Sequence, residues 1–350
     1  MEIYQKLAFW YENEKRDLPW RNTSDPYKIW ISEIILQQTR VAQGTAYYNR
    51  FISEFPDIFS LAKAETHDVL KMWQGLGYYS RARNLHETAR FIVSHNSGQF
   101  PVDYSELLKL KGIGDYTAAA IASIAYNEPK AAIDGNVKRV ISRLFRVEEE
   151  INSLSGKKNI CSLAEQILDK ANPGRHNQAI MELGAGICLP KNPSCFKCPL
   201  NSVCLALKSN KVAELPLKYK KTKVKNRYFT YLIIKKDDTI YLKQRTQNDI
   251  WKGLYEFPLI ESDELPEIAA LPGIIGKFLN ADIKNFQINS ISEPVNHKLS
   301  HRNIFCRFIN ISVSGYELTS PLSGTIVNID KFDTYPVPTL IDRYVRSIGL

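Results

Sequence analysis

Four of the chain's six cysteines fall within the seventeen residues CLPKNPSCFKCPLNSVC: Cys188, Cys195, Cys198 and Cys204, separated by six, two and five residues. Four thiolates in one short loop can surround a metal, whereas a reducing compartment gives them little reason to pair as disulfides. Tetrahedral zinc and a cubane iron–sulfur cluster both accept four thiolates, so ligand count leaves the two open. Spacing alone tilts slightly to zinc, because structural zinc is common, although its sites usually use two close pairs and this loop has one. Either centre would stiffen the loop and couple its folding to metal binding. Lys191 and Lys197 lie on the loop and would present positive charge in a fixed shape. The loop holds no nucleophile, and Cys161 and Cys306 are remote from it in sequence.

Two carboxylates offer the chemistry that the cysteines lack. Glu33, in IWISEIILQQTRV, sits inside an apolar helical run, where a carboxyl keeps its proton unless it is paired; the plainer alternative is a solvent-facing glutamate on an amphipathic helix. Asp134, in AAIDGNVKRVISRLF, stands just before a helical pattern carrying Lys138, Arg139 and Arg143. It is either a simple helix cap or an anion facing developing positive charge. A protonated Glu33 with an ionised Asp134 would be a general acid and an electrostatic partner, the division that glycosidic cleavage needs. Between them, LLKLKGIGDYTAAAIASIA places Gly112 and Gly114 between two helical patterns. These glycines can take backbone angles closed to other residues and leave amides free for a DNA phosphate, unless the segment is an ordinary αα-turn.

The elements that must position these residues change character along the chain. Tyr27 to Phe51, with Pro26 before its first turn, has helical spacing. So do His86 to Val93, Ser105 to Leu110, Tyr116 to Tyr126, Asn136 to Phe145, Cys161 to Leu168 and Gln178 to Leu183. After Leu215-Pro-Leu217 comes the basic run KYKKTKVKNR, residues 218 to 227, which reads as a linker or solvated face with phosphate contact as an alternative. Beyond it the period becomes two: Phe229 to Ile234 and Thr239 to Lys243, joined by a polar KKDD turn, and Asn303 to Val313 are strand-like. At 350 residues and 40.0 kDa the chain is long enough for two or three domains. Its +9 net charge favours a polyanionic partner. The absence of a long apolar run and of a signal-peptide pattern leads us to expect a cytoplasmic protein without a membrane partner.

Together these motifs resemble the helix-hairpin-helix, iron–sulfur adenine DNA glycosylases, the MutY family. LPWR at 18 to 21, SEIILQQTRV at 32 to 41, WQGLGYYSRARNLH at 73 to 86, the hairpin, IDGNVKRV at 133 to 140 and the cysteine spacing occur in the family's order. The resemblance implies a multi-domain α+β fold: an all-helical glycosylase region over 1–215, then a basic linker over 216–227, then a β-rich Nudix-like domain over 228–350. The helical region would divide into a six-helix barrel, about 27–134, and an iron–sulfur portion formed by the N-terminal segment with about 135–215. It implies a [4Fe–4S] cluster on Cys188, Cys195, Cys198 and Cys204 in place of zinc.

The resemblance also implies the reaction and its residues. The substrate would be duplex DNA with adenine opposite 8-oxoguanine or, less favourably, guanine, acted on by a nucleoid-associated monomer that also meets replication or repair proteins. Glu33 would protonate adenine N7, Asp134 would stabilise the oxocarbenium-like sugar, and Asn136 would orient the acids. Tyr116 stands where bifunctional relatives carry a Schiff-base lysine, which implies base removal without an efficient lyase step; a Lys111 or Lys138 that reached the sugar would overturn this. Gln37, Gln38 and Thr39 would intrude beside the damaged pair, Tyr78 would wedge into the stack, and Gly112 and Gly114 would hold phosphate. In the second domain WKGLYEFP, 251 to 258, is the clearest local match, and Ser300 and His301 match a loop that probes 8-oxoguanine, with Leu299 in place of the usual phenylalanine. No Nudix-box spacing is present, so magnesium-dependent phosphohydrolysis is not expected. The competing readings are an endonuclease III-like pyrimidine glycosylase/lyase and a non-catalytic DNA-binding module.

Overall fold

The computed structural model describes residues 2–217, 224–279, 286–313 and 324–349. Two compact units emerge, and each is discontinuous in sequence: Met1–Ala64 with Asn84–Lys220, and Glu65–Arg83 with Lys221–Leu350.

The first unit is helical. Its elements are α1 (Ile3–Glu14), α2 (Pro26–Leu36), α3 (Val41–Glu54) and α4 (Ile58–Lys63), and, after the segment given to the other unit, which contains α5 (Thr66–Met72), most of α6 (Ser80–Asn96). There follow α7 (Tyr104–Leu107), α8 (Asp115–Tyr126), α9 (Gly135–Leu144), α10 (Leu154–Gln166), α11 (Pro173–Gly186) and α12 (Leu205–Lys208). The expected single periodic segment from Tyr27 to Phe51 is two helices. The chain breaks at Gln37–Arg40, where Gln38 takes φ +59°, a left-handed turn made without glycine or proline and therefore without a local signal. Helix α2 is buried almost all round, including Ile29, Trp30, Ile31, Ile34 and Ile35, because α3 and α8 both pack on it. A second core joins Leu7 and Tyr11 of α1 to Val140, Ile141, Ile160, Ile180 and Leu183 of α9, α10 and α11, with Cys188, Cys198 and Cys204 packed against it.

The second unit holds a sheet in which β1 (Lys225–Lys236) is central. It pairs parallel with β7 (Arg302–Val313) and antiparallel with β2 (Thr239–Gln244) and β4 (Leu259–Ser262). Beside these lie β3 (Tyr255–Glu256) on β2, β5 (Phe286–Ile291) and β6 (Val295–Lys298) on β7, and β8 (Thr325–Asn328) on β2. The β1–β2 connection tightens from the expected four-residue turn to Asp237 and Asp238, with Asp237 at φ +50°, so that Lys236 faces Thr239. Strand alternation sends Leu232, Ile234, Ile309 and Ile311 to one face, where α13 (Leu271–Leu279) covers them with Leu271, Ile275 and Leu279. Tyr231 and Phe308 point to the other face, where Tyr344 of α14 (Thr339–Ser347) stacks on Phe308 at 3.8 Å.

The basic linker expected over 216–227 is only partly visible, since 218–223 lie outside the described residues. Its last three residues are strand: Lys225 opens β1, and Arg227 is bound by Glu261 and Asp249 at 2.6 Å each. A run of one charge cannot show in sequence which of its members will meet acids brought from elsewhere. Among the described residues no helix is long and apolar enough to cross a membrane.

Candidate active site

Pro26 at the first helical position and Asp25 before it, whose carboxylate accepts the Tyr27 amide at 2.9 Å, fix where α2 begins. Glu33 therefore falls on an inward face, 6% exposed. Tyr116, from the first turn of α8, donates its hydroxyl hydrogen to Glu33 Oε2 and lies 3.2 Å from Met181 Sδ. Burial pushes the Glu33 carboxyl up to about 7; the Tyr116 hydrogen bond opposes the shift and the nearby charge of Asp134 adds to it. The same burial raises the Tyr116 phenol well above its ordinary value.

Asp134 is the helix cap that was one of its two sequence alternatives, and it also lines the cleft. As the cap of α9 its Oδ1 accepts the Val137 amide at 2.7 Å, while the residue also lines the cleft that Glu33 lines. Its Oδ2 accepts the Asn136 side-chain amide at 2.9 Å. Burial pushes the Asp134 carboxyl above the usual carboxylate range, against the pull of the Val137 and Asn136 donors and of Arg139. Arg139 continues the chain of bonds: it donates to Asn136 Oδ1 at 2.9 Å, to the Gly184 carbonyl at 2.8 Å and to the Cys188 carbonyl at 2.7 Å. A Cβ on Gly184 would stand 2.6 Å from Asn136 Cβ, so only glycine allows α11 to approach there.

The cleft, about 1140 Å³, gathers Glu33, Gln37, Gln38, Thr39, Gly114, Tyr116, Asp134 and Asn136. Gln37 reaches Thr117 at 3.4 Å, Gln38 is exposed at the helix break, and Thr39 follows it. Gly112 is in the hairpin turn at φ +79°, and a Cβ there would meet Asn84 Cβ at 2.7 Å. Gly114 corrects the expectation for it: φ is −98° and a Cβ would meet nothing within 4 Å. Its backbone is open to any residue, and glycine there leaves the start of α8 bare. Lys138 lines the cleft with Lys130, Lys157 and Lys158, whereas Lys111 is bound to Glu87 at 2.6 Å.

Sequence reasoning missed a second buried acid on the wall. Glu182 takes Arg16 at 2.6 and 2.7 Å and Arg21 at 2.5 Å. Burial would raise it, but the two guanidinium groups outweigh burial and hold it ionised below its ordinary value. Its signal was the one that exposed Glu33, an acid within an apolar helical run.

The cysteines share one loop. Arg143 donates to Cys188 Sγ at 3.4 Å and to the Leu189 carbonyl at 2.7 Å. Backbone amides of Leu200, and of Leu207 and Ala206, donate to Cys198 and Cys204, and the Cys198 thiol, pushed up to about 11 by burial, is near enough to the other three to feel their charge. Lys191 and Lys197 are exposed on this loop. Among the described residues no group of three or more His, Cys, Asp or Glu side chains is arranged to hold a metal ion.

In the second unit Tyr78 follows a turn with Gly75 at φ +96° and Gly77 at φ +72°, and is itself held at φ +46°, a strained region for an aromatic residue. Its hydroxyl meets the Ser300 hydroxyl. Ser300 and His301 are exposed at the turn between β6 and β7, which the Leu299 amide closes on the Arg302 carbonyl at 2.8 Å.

Comparison with known proteins gives the class first. Residues 31–174 match the family model described as HhH-GPD superfamily base excision DNA repair protein, and 229–347 match that of the NUDIX domain. Among solved structures, a thermostable thymine-DNA glycosylase is 29% identical with a TM-score of 0.54, over 59% of this chain and 95% of that one. An endonuclease III bound to DNA shares the fold at 21% identity and a TM-score of 0.51, over 59% and 94%. An adenine DNA glycosylase of Buchnera aphidicola subsp. Baizongia pistaciae is 35% identical over 350 residues, 99% of this chain and 96% of that protein. That of Homo sapiens is 43% identical over 209 residues, 57% of this chain and 38% of that protein. The chain belongs to the adenine DNA glycosylases, enzymes of base-excision repair. The pyrimidine-glycosylase and non-catalytic readings give way to relatives that match both units.

Glu33 gives a stability test. Because its folded value of about 7 exceeds the ordinary 4.5, its contribution is whole below 4.5 and is lost as pH rises through about 7, about 3 kcal/mol in all. Thermal midpoints measured across this range should fall in the parent protein, and much of that fall should vanish in Glu33→Gln. Arg139→Gln strips partners from the buried Gly184 carbonyl, from the partly buried Cys188 carbonyl and from Asn136, at roughly 1–3 kcal/mol for each buried group left unmatched. Urea unfolding should show it markedly less stable; an unchanged midpoint would mean the bonds contribute nothing.

Proposed function

We propose that this glycosylase hydrolyses the N-glycosidic bond of adenine opposite 8-oxoguanine and, less favourably, opposite guanine. The observation that carries the reading is Glu33, a carboxyl whose burial keeps its proton to about 7, in the same cleft as a hydrogen-bonded Asp134. Adenine leaves the stack, which a mispair makes less costly. Glu33 passes a proton to N7, Tyr116 holding the carboxyl in place, and the bond between sugar C1′ and base N9 breaks with its electrons going to adenine. Asp134, oriented by Asn136, stabilises the positive sugar until water attacks C1′ and gives up a proton to the Glu33 carboxylate, which restores the acid. Tyr116 has no amine for a Schiff base, so an abasic site is the product rather than a nicked strand. The bare amides opening α8 beside Gly112 and Gly114 receive a backbone phosphate, Gln37, Gln38 and Thr39 border the extruded nucleotide, and Tyr78 with Ser300 and His301 reads the opposite base.

The four cysteines fit a [4Fe–4S] cluster by their donor chemistry: four thiols on one loop, with amide and guanidinium donors already aimed at three of the sulfurs. Bound there, the cluster supplies a structural clamp that presents Lys191 and Lys197 to DNA.

Single-turnover release should follow a bell-shaped pH profile, rising as Asp134 ionises above its ordinary 3.8 and falling through about 7 as Glu33 loses its proton. Duplexes with A opposite 8-oxoguanine, G or T, and with oxidised pyrimidines, test the substrate. Alkali-dependent scission at A opposite 8-oxoguanine, abolished by Glu33→Gln and by Asp134→Asn, is the expected result. Scission equally strong without alkali, or release of oxidised pyrimidines alone, would sink the reading. Protein purified without air should contain iron and acid-labile sulfide; stoichiometric zinc without sulfide would refute the cluster.

A further inference from the structure

The loop after β2 has no part in the chemistry above, yet it gathers bonds from both flanks of the Tyr78–Ser300 contact. Asp249 receives three guanidinium groups from three places in the chain. Arg302, the first residue of β7, gives Nη1 to Oδ1 at 2.7 Å. Arg227 of β1 gives Nη1 to Oδ2 at 2.6 Å, and Arg245 gives Nη2 to the same oxygen at 3.0 Å. Arg227 also holds Glu261 and Arg245 also holds Glu256. Among the described residues Arg302 has Asp249 as its only ion-pair partner.

Arg302 directly follows Ser300 and His301. Its carbonyl closes their turn, and the His301 carbonyl is held by the Lys225 amide at 3.1 Å. Anchoring Arg302 thus anchors the hydroxyl of Ser300. Three residues beyond Asp249, the Lys252 carbonyl accepts Arg83 Nη1 at 2.7 Å. Arg83 lies in the first turn of α6, its amide bonded to the Tyr79 carbonyl at 3.1 Å, so this second anchor bears on the backbone that carries Tyr78. One short loop therefore holds Ser300 through a carboxylate at one end and Tyr78 through a carbonyl at the other.

We propose that the loop 249–252 sets the spacing of the Tyr78–Ser300 pair, with Asp249 as a positioning residue for discrimination between 8-oxoguanine and guanine opposite adenine. The inference rests on the reading of Tyr78 and Ser300 given above. The two purines differ at N7, which bears a hydrogen only in 8-oxoguanine, and at the added O8. Reading one hydrogen bond demands that the protein partner be placed within a few tenths of an ångström. Without the negative charge of Asp249, three guanidinium groups repel one another and Arg302 is released.

The test uses the full chain. Single-turnover adenine release is measured on A:8-oxoguanine and A:G duplexes for the parent, Asp249→Asn, Arg302→Met, Ser300→Ala and the Asp249→Asn/Ser300→Ala double variant. The preference for 8-oxoguanine should fall about tenfold in Asp249→Asn and in Arg302→Met, with release from A:G within about twofold of the parent and the double variant no worse than Ser300→Ala. Arg302→Met leaves the other two pairs of Asp249 intact and serves if Asp249→Asn does not fold. Retained preference in the soluble variants, equal losses on both duplexes, or additive losses in the double variant would each overturn the proposal. A parent enzyme without preference would instead overturn the substrate reading, and this inference with it.

Discussion

Keeping one carboxyl group away from water governs the helical unit. A glutamate inside an apolar helix is costly in its charged form, and the fold meets the conflict by raising its carboxyl to about 7 and giving it the Tyr116 phenol as partner. That solution requires α2 to be covered on nearly every side, which α3 and α8 accomplish, and it requires α8 to begin where Tyr116 can reach across. The hairpin before α8 thus has two duties. It leaves backbone amides bare and it sets the register of the phenol.

Asp134 shows how the second acid is kept different from the first. Glu33 is buried, whereas Asp134 is partly buried and wrapped in donors: an amide of its own helix, the Asn136 side chain, and behind them Arg139. The same guanidinium ends on the Cys188 carbonyl, so a continuous path of polar bonds runs from the cleft to the cysteine loop. The loop, which has the densest unusual composition in the chain, is therefore tied to the carboxylate through Arg139 and Asn136.

What the sequence made legible were the violations of its own patterns. An acid in an apolar run, glycines between helical segments, four crowded cysteines and a change of period from helix to strand all stood out, and the helical and β-rich parts were separable on that basis. What remained hidden depended on partners brought from afar. Arg227 looked like one of many linker charges until Asp249 and Glu261 met it, and the parallel pairing of Lys225 with Arg302 joins residues with no local relation. Glu182 gave the same cue as Glu33, but a cue for burial does not say which arginines will answer it. The break at Gln38 is carried by a residue type that seldom adopts it.

The discontinuity of the units bears on how the chain is made. Within the second unit, His67, Lys71 and Gln74 bond to Thr334, Tyr335 and Asp342, partners more than 260 positions downstream. A ribosome adding ~5–20 residues per second needs roughly ten seconds to a minute to cover that span. For that interval the segment Glu65–Arg83 has emerged without the surface it belongs to, while most of the helical unit around it is already complete. Newly made chains pass through a state in which this stretch, Tyr78 included, is open to chaperones and proteases, and synthesis must run almost to the last helix before it closes.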